Sequence, residues 1–199
     1  MSETHKDYAG AKLGMWLFLF TEITLFGGLF LLYSVYLHRY QPAFHQAAAT
    51  LDTFLGGANT VILITSSLCM ALAISALQRG QQARCKLMLI LTVLMGLGFL
   101  VNKGFEWSAK FDHGIYPGSE HLRGLPQGQD TFYSLYFTMT GLHGIHVLIG
   151  VVLLSVVLLL VARQRVRQDD FIILENSGLY WHLVDLVWIY LFPLFYLIS

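Results

Sequence analysis

Charge is scarce in this chain. Twelve Lys and Arg balance twelve Asp and Glu over 199 positions, a charged share of 12%. That is about half the usual share for a soluble domain. With no net charge the chain lacks the basic footprint of a nucleic-acid partner, and no basic block suggests targeting to anionic lipid. Cysteine is equally sparse: Cys69 and Cys85 fall within or beside helical stretches, make no metal-type spacing and offer no disulfide framework. There is no ten-residue alternation of the kind a membrane barrel needs, and no internal or inverted repeat of the kind that marks many carriers. No loop is long enough for a soluble domain.

What is present is apolar. Hydrophobic residues make up 56% of the chain, and five runs, 13–37, 54–77, 86–109, 131–161 and 177–198, each supply about the 20 residues a helix needs to cross a hydrocarbon core. The opening "MSETHKDYAGAKLG" leads into a run too long for a cleavable signal, so the first run is expected to remain as a spanning helix. The fourth run, about 46 Å long as a helix, should tilt or project. Pro193 should bend the fifth near its end. The expected fold is all-α: a polytopic membrane protein, one five-transmembrane-helix bundle over residues 1–199. Gly27, Gly28, Gly56, Gly57, Gly96, Gly98, Gly141 and Gly144 are expected to let helices approach closely.

Lys and Arg placement sets the expected direction. With the N-terminus cytoplasmic, that side holds Lys6, Lys12, Arg79, Arg84, Lys86, Arg163, Arg165 and Arg167. The outer side keeps Arg39, Lys110 and Arg123, with Lys103 in the outer part of the third span. The C-terminus then lies outside. The one long connection, "KFDHGIYPGSEHLRGLPQGQD", falls on the outer side.

Few ionisable residues lie inside the spans, and each is a functional hypothesis by default. Glu22 sits in "LFLFTEITLFGG", Glu106 in "NKGFEW", His143 and His146 in "TGLHGIHVLIG", and His182 and Asp185 in "LYWHLVDLVWIY". Two histidines one turn apart cannot face each other across one haem iron, so a bis-histidine haem would pair His143 or His146 with His182. A di-iron site would need more carboxylates than this set provides. The residues favour a third reading, an interhelical hydrogen-bond network in which His182 bonds Asp185 or the fourth helix, with Tyr180, Trp181 and Trp188 around them. Glu22 has no cation in its own span. It must pair across helices, carry its proton, or face a water-filled crevice or a lipid headgroup, and a neutral carboxyl there could exchange protons.

Three of these stretches, "TGLHGIHVLIG", "LYWHLVDLVWIYLF" and "LFTEITLFGG", resemble signature segments of subunit III of the haem–copper respiratory oxidases, in the same order and with matching helix spacing. "NKGFEW" is similar to the segment around that family's second membrane glutamate. The resemblance implies an accessory subunit of a prokaryotic cell (inner) membrane, without haem or copper of its own. Those metals are expected in the partner catalytic subunit I, with other respiratory subunits alongside. It implies support of proton uptake, protection of the catalytic subunit during turnover, and phospholipid in grooves. Glu22 matches the membrane carboxylate linked to proton uptake or lipid-side protonation. Glu106, His143, His146, His182 and Asp185 match polar framework residues. Longer members have seven helices, and the two absent here precede the first span. "NTVILITSS" and "NKGFEW" are also similar to the accessory membrane protein of nitric oxide reductase clusters, which leaves the partner open between the two complexes.

Overall fold

A computed structural model describes residues 8–126 and 128–198. The segment carrying Lys6 lies outside the described residues. The chain folds into α1 (Tyr8–Arg39), α2 (Gln41–Ala48), α3 (Thr53–Gln78), α4 (Gln82–Asp112), α5 (Glu120–Arg123), α6 (Gln129–Ala162) and α7 (Ile172–Tyr196). Among the described residues no strand forms, only one isolated bridge between Arg167 and Asp170. Five helices, α1, α3, α4, α6 and α7, are long and apolar enough to cross a membrane. Four of them extend past their apolar runs at both ends, and α7 does so at its start while stopping at Tyr196, because flanking polar residues also satisfy helix geometry. The 34-residue α6 is about 51 Å long at 1.5 Å per residue.

Four helices, α3, α4, α6 and α7, pack as a bundle, and α1 lies against its α6–α7 side. Only Leu19, Phe26 and Tyr33 of α1 are buried, spaced seven residues apart. That spacing keeps a single stripe facing the bundle, while Leu17, Phe20, Leu31 and Val35 stay exposed. α6 occupies the centre and buries fourteen residues. In lipid, apolar side chains gain little from mutual burial as such, so close van der Waals packing and polar contacts hold the helices together. One end of the bundle is tied by Gln168 Nε2 to the Gln78 carbonyl at 2.9 Å and by the side-chain pair Gln82–Gln164. Lys12, Arg79, Arg84, Lys86 and the three arginines after α6 gather at this basic end.

The other end is capped by α2, a helix in a connection that the sequence offers only as a loop. Pro42 suits its first turn. Phe44 inserts edge-on between Tyr33 and Phe132, at centroid distances of 5.5 and 5.3 Å. The Asp52 side chain then caps α3 by accepting the Leu55 N–H at 3.0 Å.

Not all of the glycines expected at interfaces lie there. A Cβ on Gly96 would come within 2.7 Å of the Trp181 ring, and one on Gly56 within 2.8 Å of Tyr196. Gly141 lies against Trp107. By contrast, a Cβ on Gly27, Gly28, Gly98 or Gly144 would meet nothing within 4 Å, and Gly57 makes only a 3.9 Å approach. Two others, Gly150 and Gly178, do sit at contacts. Gly96 and Gly150 together leave the slot in which Trp181 lies flat between α4 and α6, with its Nε1–H donated to Ser66 Oγ at 3.1 Å.

Candidate functional site

The ionisable residues inside the spans do not form one network. They fall into two ion-paired groups, one His182–Ser67 contact, and two side chains, His143 and Asp185, that make no hydrogen bond.

The first group joins α1 to α6. His146 Nε2 lies 2.9 Å from Glu22 Oε2, and His146 Nδ1 lies 2.8 Å from the Leu142 carbonyl. A carbonyl only accepts, so Nδ1 must carry a proton. The remaining contact then has two forms. Either Nε2–H donates to a charged carboxylate, or a protonated Glu22 donates to the Nε2 lone pair. Both forms are neutral overall and differ only in the position of one proton. The pair thus answers the lack of a cation within α1: Glu22 finds its partner 124 residues away. Phe26 packs edge-on to the imidazole at 5.3 Å, and Tyr180 Oη donates to the His146 carbonyl at 3.1 Å. The site is not sealed. The side chains of His146 and Glu22 keep 13% and 14% of their surface, and both line a cavity of about 580 Å³ between α1, α6 and α7.

The second group is closed. Lys103 and Glu106 of α4 are 6% and 7% exposed and meet at 3.0 Å. Lys103 Nζ also donates to Tyr136 Oη at 3.0 Å and to Tyr196 Oη at 2.6 Å, using all three of its protons. Both tyrosine hydroxyls then donate to Glu106 Oε1 at 2.6 Å. The ammonium stands 5.2 Å from the Trp188 ring centroid, adding a cation–π contact. Every donor and both carboxylate oxygens have partners drawn from α4, α6 and α7. In the sequence Lys103 stands out only as an outer-side charge, although its i,i+3 spacing from Glu106 is the signal that pairs them.

His182 bonds neither Asp185 nor α6, the two partners its place in the sequence offers. Its Nδ1 lies 2.7 Å from Ser67 Oγ on α3. The i,i+3 spacing would let His182 reach Asp185, but its Nδ1 is turned to the hydroxyl on the facing helix instead. Asp185, 3% exposed, has neither oxygen hydrogen-bonded, and His143, fully buried, has neither ring nitrogen bonded. His143 lies edge-on to Phe99 at 5.5 Å and tilted over Trp188 at 5.3 Å, held by ring contacts rather than polar ones. Among the described residues, no three His, Cys, Asp or Glu side chains gather in an arrangement that could hold a metal ion. Both cysteines are buried and free. What this arrangement offers chemically is one transferable proton beside a groove, and one saturated charge network within the bundle.

Residues 2–199 match the protein family described as cytochrome c oxidase subunit III. The chain is 32% identical over 188 residues to the "Probable quinol oxidase subunit 3" of Staphylococcus saprophyticus, covering 94% of this chain and 89% of that one. It is 34% identical over 188 residues to the "Cytochrome c oxidase subunit 3" of Synechocystis sp., covering 93% and 74%. It is 30% identical over 192 residues to the "Quinol oxidase subunit 3" of Bacillus subtilis, covering 94% and 86%.

Proposed function

The chain belongs to the cytochrome c oxidase subunit III family, and from that premise we propose that it is a metal-free accessory subunit of a haem–copper terminal oxidase in aerobic electron transport. In this reading it forms one membrane domain over residues 1–199 in a prokaryotic cell (inner) membrane, with the basic end and N-terminus cytoplasmic and the C-terminus outside. It packs against catalytic subunit I, which carries the haem and copper, beside the other respiratory subunits. Phospholipid occupies surface grooves. The names of the relatives support an oxidase complex driven by cytochrome c or by quinol.

The observation that carries the reading is how the histidines are used. Both nitrogens of His146 are engaged, by Glu22 and by the Leu142 carbonyl. The Nδ1 of His182 is engaged by Ser67. The ring of His143 is enclosed by Phe99 and Trp188. These contacts suit struts between helices rather than axial ligands. Glu22 then supports the catalytic subunit through its proton. The Glu22–His146 pair gives up its shared proton toward the partner's uptake path and is reprotonated from the half-open groove.

Purification of the complex, followed by isolation of this polypeptide from it, tests the proposal. Haem and copper should stay with the large subunit, and this chain should show no Soret band. Stoichiometric haem or metal on this chain alone would overturn the reading. The haems of the co-purified large subunit also decide between an oxidase and the alternative, a nitric oxide reductase complex.

A further inference from the structure

We propose that the groove between α1, α6 and α7 binds an isoprenoid quinol, with the ring hydroxyl hydrogen-bonded to Glu22. The cavity of about 580 Å³ is lined by Met15, Phe18 and Glu22 of α1, Ile149 and His146 of α6, and Tyr180 of α7, among others. This size is typical of a small-molecule site with few polar anchors. Its polar anchor is the outer face of the Glu22–His146 pair. Glu22 Oε2 is taken by His146. Among the described residues Oε1 accepts no hydrogen bond, and the carboxylate side chain keeps 14% of its surface. In either proton form of the pair, Oε1 remains an acceptor, so the groove presents a site for a hydroxyl donor.

Three features distinguish the occupant. No Lys or Arg lines the groove, and Lys12 nearby is held by Glu175 at 3.1 Å. A phosphate headgroup would therefore face a carboxylate without a compensating cation. Depth is the second feature. Glu22 lies nine residues past the start of the apolar run, about 13 Å along the helix, where charged or strongly hydrated headgroups are costly. A quinol has a weakly polar head on an apolar tail and resides at such depths, whereas the hydroxyl of a diacylglycerol stays near the interface. The third is wall chemistry. The edges of Phe18 and Tyr180, with centroids 5.9 Å apart, give a flat ring an aromatic surface to lie against. Binding alone is inferred, with no electron transfer at this site.

A photoreactive azido derivative of a decyl-substituted hydroquinone tests this on the full chain in phosphatidylcholine vesicles. Labelling should map to α1 or α6 beside the groove, and be displaced by unlabelled decyl hydroquinone but not by dioleoylglycerol or phosphatidylglycerol. Glu22→Leu should weaken it at least about tenfold, the loss of one hydrogen bond to a carboxylate. Ile149→Trp fills the groove from an exposed wall position, leaves the Glu22–His146 pair intact, and should abolish labelling even if Glu22→Leu does not fold. Labelling indifferent to Ile149→Trp, or displaced equally by either lipid, would overturn the proposal. Because the readout is binding, the outcome is independent of whether Glu22 serves proton uptake in the complex.

Discussion

The Glu22–His146 pair and the Lys103–Glu106–Tyr136–Tyr196 cluster are both ion-pairing groups inside the spans, yet they are built oppositely. The cluster uses every proton of its lysine and both oxygens of its glutamate, within three packed helices. Nothing in it is left over to act on a substrate. The pair rests on a single contact between α6 and the least buried helix, α1, and leaves one carboxylate oxygen facing a groove. A saturated network fixes structure, because any change leaves a buried group unpaired. An unsaturated one can exchange a proton or take a ligand without disturbing the fold. The same residue types therefore carry different roles according to what surrounds them.

The largest expected effect lies in the closed cluster. Glu106→Ala leaves the Lys103 ammonium buried without its counter-charge and should cost about 3–5 kcal/mol, read as a drop in thermal midpoint and loss of incorporation into the complex. Tyr196→Phe removes one donor from Glu106 and one acceptor from Lys103, and should cost about 1–3 kcal/mol. If either change proved silent, the cluster would not be the rigid partner in this contrast. Glu22→Gln should stay within about 1 kcal/mol of the parent chain. Its amide can donate to the His146 Nε2 lone pair, so the α1–α6 contact survives in one of its two forms. A destabilisation as large as that of Glu106→Ala would place both regions in one structural class. Asp185→Asn sharpens the comparison from outside. Neither Asp185 oxygen is bonded, so removing a buried carboxylate should be neutral or slightly stabilising, by less than about 1 kcal/mol. Thermal melts of the assembled complex measure both.

Hydropathy alone exposes the five spans, because a 20-residue apolar run has few other uses. Helix ends are less legible: α1 is already helical at Tyr8, ahead of the run that starts at residue 13, since polar termini continue a helix without an apolar signal. α2 hides in "QPAFHQAA", where Pro42 marks a helix start but eight residues are too few for a clear period. The need for a partner for Glu22 follows from its lone position in an apolar helix, but the partner's identity depends on how α1 meets α6. Lys103 and Glu106 stand one turn apart and are readable as a pair. The tyrosines that complete the cluster come from α6 and α7 and are not. The His182–Asp185 pairing fails for the opposite reason, because a facing hydroxyl on α3 outcompetes a neighbour on the same helix.

The most direct measurement is proton uptake by the assembled oxidase carrying Glu22→Gln, followed through repeated turnover. An unchanged subunit composition, with slower uptake or a shortened active lifetime, is the predicted result. Uptake and lifetime equal to those of the parent complex would contradict a role for the open pair and leave Glu22 as one more strut.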